Sequence, residues 1–255
     1  MNDAGIVVRK CRTLEEFQLC VELQREIWQE ADLEVEPATA FVVAANTGGQ
    51  VLGAFDGARL AGYTLAVVGV RDGLIYLHSH MTGVHADYRD RGVGRMLKLF
   101  QREEALSRDI RLVRWTFYPL EMRNARFNLN RLGAICRKYL PNFYGVTSSP
   151  LHRGLETDRL LAEWHLDSPR VAAAVAGAPL PMPEHFAAIE MPNEPGDVAA
   201  PRAPLDQPVG DRRIPALQQR LRDEFTKYFQ RGYAALAVRT DAATPAYLLC
   251  PWSDF

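Results

Sequence analysis

Residues Ile75 to Gly94 constrain this chain more tightly than any other stretch. They read Ile-Tyr-Leu-His-Ser-His-Met-Thr-Gly-Val-His-Ala-Asp-Tyr-Arg-Asp-Arg-Gly-Val-Gly. The first half is apolar and β-leaning, the pattern of a buried strand. The second half is a polar turn carrying Arg89, Arg91, Gly92 and Gly94. Val93, Met96, Leu97, Leu99 and Phe100 then mix with Arg95, Lys98, Gln101 and Arg102 in a helical pattern. The unit is therefore a strand, a basic glycine-bearing loop and a helix. The first turn of a helix has N–H groups without intrahelical partners, and the helix dipole adds positive charge there. Glycines admit a ligand close to the backbone, and Arg89, Arg91 and Arg95 add full charges. Such a loop fits a diphosphate; a basic strand-to-helix connection with no ligand is the other reading. A dinucleotide fingerprint would need glycine at position 97, where Leu97 stands, and no Gly-Lys-Ser/Thr of a P-loop occurs.

The rest of the chain surrounds this unit with short elements. Ile6 to Cys11 reads as a strand, and Thr13 with Glu16 forms a capping-box pattern ahead of a helix striped by Phe17, Cys20, Val21, Leu23, Ile27 and Trp28. Ala38 to Asn46 reads as a second helix. Gln50 to Phe55 and Arg59 to Val70 read as strands joined at Asp56-Gly57. Arg111 to Phe117 is a further strand, and Asn124 to Leu132 a helix ended by Gly133. Val171 to Pro208, rich in Ala and Pro, is expected to be mostly extended or loop, with His185 to Met191 as a candidate strand. Ile214 to Gln230 reads as a helix with Leu217, Leu221, Phe225 and Phe229 on one face. Tyr233 to Val238 and Ala246 to Leu249 read as strands.

The 255 residues suffice for one large domain or two modest ones, and the formal net charge of -1 argues against nucleic acid or anionic membranes as partners. Cys11, Cys20, Cys136 and Cys250 are scattered, as expected of reduced thiols rather than a disulfide framework or a zinc site. No signal-peptide pattern or membrane-spanning run is read, so a soluble cytoplasmic protein is expected.

Arg89-x-x-Gly92-x-Gly94, set between a strand and a helix, resembles the acyl-CoA pyrophosphate loop of the GNAT acyltransferases. Val84, five residues before Arg89, stands where that family ends its central strand. Leu77-His-Ser-His-Met-Thr-Gly-Val84, Trp115-Thr-Phe-Tyr-Pro-Leu-Glu121, Asn124-x-x-x-Asn128, Leu132-Gly-Ala134, Asn142-Phe-Tyr-Gly145 and Thr157-Asp-Arg159 are similar to a little-characterised long GNAT subfamily. The resemblance spans Ile6 to Trp164 most closely. It implies an α/β (α+β) GNAT fold: a mixed, mostly antiparallel sheet flanked by helices, with a splayed central strand pair. A GNAT domain over 1–168 and a C-terminal helix-and-strand extension over 169–255 are expected, the extension packing on the core or on a second subunit. A homodimer is the corresponding partner expectation, because the C-terminal strands need a sheet to join.

The implied activity is transfer of an acyl group from acetyl-CoA or another acyl-CoA to a small amine, possibly an amino acid, by direct attack. Non-catalytic CoA or acyl-CoA binding is the alternative, and transfer to a protein N-terminus or lysine a third reading. By resemblance, the backbone of Thr82, Gly83 and Val84 pairs with the pantetheine amides. The loop Arg89, Arg91, Gly92, Val93, Gly94 and Arg95 holds the pyrophosphate. Asn124 touches the pantetheine arm or caps its helix.

His78 and His80 are two apart on the strand and so share a face. His78 stands where several family members carry a general-base carboxylate, and His80 lies nearer the thioester. Both are equally readable as hydrogen-bonded core histidines. The family's acid tyrosine would fall at position 129, which is Leu129; Tyr144 and Tyr118 are the substitutes considered, Tyr144 being also a packing candidate. Trp115, Glu121, Asn128 and Arg159 are candidate acceptor-pocket residues, with Arg159 able to bind a carboxylate or to pair with Asp158 or Glu121. Arg114 or Arg126 would suit an anionic acyl group. No metal is expected, since no Asp, Glu or Cys on the histidine strand completes a ligand set.

Overall fold

A computed structural model describes residues 5–151, 154–182, 185–192, 213–240 and 244–252. The later part of the expected linker, from 193 to 208, lies outside the described residues. The chain divides into two compact units, Met1–Trp115 and Thr116–Phe255.

The strands of the first unit are β1 (Ile6–Lys10), β2 (Gln50–Asp56), β3 (Arg59–Arg71), β4 (Leu74–Val84) and the start of β5 (Leu112–Phe117), hydrogen-bonded in that order. The pairings are antiparallel up to β4, and β4 runs parallel to β5. Helix α1 (Leu14–Trp28) opens with the expected capping box: Thr13 Oγ1 accepts from the Glu16 N–H, and the Glu16 carboxylate accepts from the Thr13 N–H. Phe17, Cys20 and Leu23 of α1 pack with Phe41 of α2 (Ala38–Asn46) against Tyr63 and Leu65 of β3. Val93 and Leu97 of α3 (Val93–Leu106) cover Leu52, Ala54 and Ala61 on the other face. Three layers result, helix on sheet on helix.

The face of α3 turned to the sheet is not wholly apolar. Lys98, Gln101 and Glu104, on successive turns, are all buried. Lys98 Nζ donates to Ser79 Oγ at 2.8 Å and to Gln101 Oε1 at 3.0 Å, and it lies 4.3 Å from the centre of the Trp115 ring. Gln101 Nε2 donates to Gln50 Oε1 at 3.0 Å, and Gln50 Nε2 donates to the Glu104 carboxylate. Lys10 and Arg108 pair with that carboxylate at the outer end. Two amides thus bridge a buried ammonium to a carboxylate. Burial brings Lys98 down to about 7.

The second unit carries β6 (Ile135–Leu140), β7 (Arg159–His165), β8 (Ala187–Glu190), β9 (Tyr233–Arg239) and β10 (Ala246–Pro251), in the spatial order β7-β6-β9-β10-β8. Its pairings β6–β7, β6–β9, β9–β10 and β10–β8 are antiparallel. β9 pairs with β6 of the same chain. Helix α4 (Met122–Arg126) runs into a wider π-helical turn, Phe127–Arg131, which Gly133 ends in the left-handed region at φ +74°. The expectation of a loop from Val171 is corrected for its first part by α5 (Pro169–Ala176). The Ser168 hydroxyl caps it, Pro169 fits its first turn, and Gly177 closes it at φ +70°. The expected 168/169 division falls inside this unit, at that cap.

Helix α6 (Arg213–Gln230) sets Phe225 in a stack on Tyr139, ring centres 5.8 Å apart, and edge-on to Tyr247 at 5.0 Å. Arg222 grips the buried Asp158 with two hydrogen bonds, 3.0 and 2.8 Å. The Asn142 N–H and the Tyr139 hydroxyl donate to the same carboxylate at 2.9 and 2.8 Å. Burial pushes Asp158 up, and these donors outweigh it, holding the carboxyl below the usual range.

Two outcomes follow from these buried charges. Arg222→Leu leaves Asp158 without its cation and is expected to cost about 3 kcal/mol in urea unfolding; a loss below about 0.5 kcal/mol would contradict the pairing. For Lys98 the folded state releases its proton more easily than the unfolded chain. Stability should therefore rise as pH climbs from about 7 towards the ordinary 10.5, at up to about 1.4 kcal/mol per pH unit. Lys98→Met should remove that rise in denaturant titrations across the range; an identical rise in both proteins would refute it.

Candidate active site

The site is built around β4, whose two edges differ. Along one edge β3 pairs with it from Leu74 to Val84. Along the other, β5 pairs at two positions, Leu77 with Val113 and His78 with Arg114. Past His78 the two strands part, as expected of a splayed pair.

The β3 ladder is interrupted where they part. Leu65 pairs with Met81 and Ala66 with Ser79, so His80 is an extra residue in a β-bulge. The bulge resets which side chains face which layer. Ser79 meets Lys98 of α3. His80 meets Glu36, just before α2, and Met81 packs among the α1 and α2 residues. Met81 Sδ also accepts from the Tyr63 hydroxyl at 3.6 Å. Two consecutive residues, His80 and Met81, therefore share one face. Gly83 lies close against the end of α1: a Cβ there would sit 2.6 Å from Ile27 Cδ1 and 3.0 Å from the Trp28 ring, so those side chains would have to shift.

His80 Nε2 lies 3.3 Å from Glu36 Oε1. The His78 ring is 6.2 Å from that of His80, their planes 34° apart. A carboxylate and two imidazoles thus form a row. Burial first, then His80 and Lys98, lowers His78 to about 4, so its ring is neutral at neutral pH. Glu36 was not among the residues singled out from the sequence. Its only sequence signal is a carboxylate immediately before the Pro37 break, and nothing local in sequence ties it to a histidine 44 residues later.

After Val84 the chain turns through a short helical turn, Ala86–Tyr88, before α3. Buried Tyr88 anchors the loop, its hydroxyl donating to Asp56 at 2.8 Å. Arg59 and Arg91 lie over its ring at 5.2 and 5.3 Å. Gly92, at φ +81°, caps α3 in the left-handed region, with nothing within 4 Å of an added Cβ. The Val93, Gly94 and Arg95 N–H groups form the first turn of α3. Arg89 and Arg91 are exposed beside them. Thr82, half-buried on β4, has its hydroxyl 3.1 Å from that of Thr64.

Trp115, buried on β5, closes over Lys98. Arg114 lies 5.1 Å over the Tyr76 ring. In the second unit, Tyr144 and Arg159 come together: the guanidinium lies 5.3 Å over the ring, and the Tyr144 hydroxyl is 3.1 Å from Thr116 Oγ1. Tyr144 is 41% exposed. Arg222 holds the Asp158 carboxylate next to Arg159 in sequence. Glu121 precedes α4 as its cap residue, and burial raises its pKa. Asn124 sits one turn inside α4, exposed, so the N-cap reading for it is corrected. Asn128 is buried in the π-helical turn, and Arg126 is exposed at the end of α4. Among the described residues, no group of three or more His, Cys, Asp or Glu is placed to hold a metal ion, and no helix is long and apolar enough to cross a membrane.

The sequence matches no protein-family model and no curated protein. Its structure is similar to those of acetyltransferases. A Desulfovibrio desulfuricans protein assigned to the GNAT acetyltransferase family aligns with a TM-score of 0.52 at 15% identity, over 64% of this chain and 99% of that one. A Salmonella typhimurium protein assigned as an acetyltransferase, solved with its cofactor acetyl-CoA, aligns at 0.52 and 16%, over 64% and 95%. The ribosomal-protein-S18-alanine N-acetyltransferase of Escherichia coli aligns at 0.50 and 13%, over 64% and 95%. At such identities the likeness is one of architecture: the chain has the GNAT fold.

Proposed function

We propose that this protein is an acyl-CoA-dependent N-acyltransferase that acts on a small amine by direct attack. One observation carries the reading. The edge of β4 freed after His78 runs from the Glu36–His80 pair at one end to the N-terminus of α3 at the other. An extended pantetheine arm adds to such an edge as a strand does, pairing with the backbone of Thr82, Gly83 and Val84. The diphosphate then meets the N–H groups around Gly92 to Arg95, together with Arg89, Arg91 and Arg95. The Salmonella structure with acetyl-CoA supports this choice of donor.

Proton removal from the incoming ammonium falls to His80. With its Nε2–H given to Glu36, His80 keeps a lone pair on Nδ1, and the carboxylate stabilises the imidazolium formed. His78, half-buried and neutral, packs beside it as a positioning group. The freed amine attacks the thioester carbonyl carbon, the C–N bond forms, and the C–S bond breaks. The nitrogen gives up its second proton, and the departing thiolate takes one up to become the CoA thiol.

A second reading, CoA binding without catalysis, is favoured by Leu129. This residue is fully buried and apolar at the position where the family resemblance implies an acid.

Thiol release from acetyl-CoA in the presence of an amine panel separates the two readings. His80→Asn is expected to lower kcat at least 100-fold while leaving acetyl-CoA affinity within twofold. Gly92→Glu strains a left-handed position and adds an anion at the diphosphate site, so it should weaken acetyl-CoA binding at least tenfold by calorimetry. Unchanged affinity in Gly92→Glu would remove the loop assignment. No turnover with any amine, alongside tight acetyl-CoA binding, would favour the non-catalytic module.

A further inference from the structure

Beside the Glu36–His80 pair, the first unit carries an open groove of about 670 Å³, a size that suits a small organic molecule. Its floor and walls are Ala40 and Val43 of α2 with Val67 and Val68 of β3, and Thr39 and Thr47 add hydroxyls. Val43 and Val67 remain 59% and 40% exposed, a cost that apolar contact with a ligand would relieve. Among the lining residues Glu36 alone is charged. Its Oε1 is also the atom that faces His80. Val67 is the cross-strand partner of His78, and directly opposed residues of an antiparallel pair project to the same face. The groove wall thus shares its face of the sheet with His78 through Val67, and includes Glu36, the partner of His80.

We infer that this groove is the acceptor site, and that it selects a primary amine with an apolar body and no carboxylate, such as an aralkyl or long alkyl amine. The inference rests on the acyltransfer reading for its chemistry, though not for the fit of the amine. The ammonium pairs with Glu36, within reach of His80. The apolar body lies on Ala40, Val43, Val67 and Val68. An α-carboxylate would lose water and meet Glu36, a like charge, with no cation in the lining to replace its hydration.

Phenethylamine and phenylalanine, which differ by that carboxylate, make the direct comparison, with an alkylamine series from butyl to octyl beside them. Binding is measured by calorimetry on the full chain without an acyl donor, so that it does not depend on turnover. Phenethylamine is expected to bind at least tenfold more tightly than phenylalanine. Affinity in the alkyl series should grow about two- to fourfold per methylene. Glu36→Gln should lose at least tenfold for phenethylamine. The double substitution Val43→Thr with Val67→Thr changes only exposed positions, and it should lose severalfold while leaving the melting temperature in place. Equal or tighter binding of phenylalanine, or affinity flat with chain length, would overturn the inference. So would an unaffected Val43→Thr/Val67→Thr protein. Titrating acetyl-CoA into the same samples separates the two claims. Acetyl-CoA binding with the wrong amine ranking sinks the groove alone. The predicted ranking without acetyl-CoA binding sinks the acyltransfer reading alone.

Discussion

The first unit depends on the unequal hydrogen bonding of β4. One edge carries an antiparallel ladder with β3 along its whole length, interrupted by the bulge at His80, and the other is paired for two residues before β5 leaves it. Backbone donors and acceptors are strong obligatory groups, so a strand held rigidly on one side and left open on the other is primed for an extended ligand. Everything that fixes β4 in place serves this asymmetry. Tyr63 and Met81 tie it to the helix pair on one face, while Lys98 and Ser79 tie it to α3 on the other.

The bulge at His80 divides these two faces. Without it, strict alternation would put Met81 on the face of Ser79 and turn it away from the α1 and α2 cluster. With it, the α2 face collects His78, His80, Met81 and Glu36, while Ser79 keeps Lys98. The two environments differ in kind. On one side, a partly exposed carboxylate and imidazole pair next to an apolar groove. On the other, an ammonium is enclosed by a hydroxyl, an amide and an indole ring. Burial acts on both sides of the strand, lowering His78 and Lys98 alike, because both groups carry their charge when protonated.

Much of the first unit was legible because its signals are local. The Thr13–Glu16 capping box, the Asp56-Gly57 turn and the switch from strand to helical periodicity around Gly92 each lie within a few residues, and each is present. The bulge was not legible, since His-Ser-His-Met reads as plain alternation and only the partner strand shows the extra residue. Glu36 was missed because its histidine is reached through tertiary folding. Lys98, Gln101 and Glu104 follow helical spacing with polar side chains, and only their mutual hydrogen bonds make their burial tolerable. In the second unit, α5 was hidden by an Ala- and Pro-rich composition that also suits a linker. Its cap at Ser168 and stop at Gly177 carried the information. β6 and β7 were passed over because Ile135–Leu140 and Arg159–His165 mix charged and apolar residues. Arg137, for example, lies on β6 and pairs with Glu163 on β7.

Amide hydrogen exchange read residue by residue, with and without acetyl-CoA, tests the central claim most directly. The open edge of β4 and the first turn of α3 should gain protection on ligand addition, at residues between Ser79 and Val84 and from Gly92 to Arg95. The β1–β2 ladder, remote from the site, should exchange as before. Unchanged exchange along β4 and α3 at saturating acetyl-CoA would contradict the account, because an acyl-CoA bound there must cover those N–H groups.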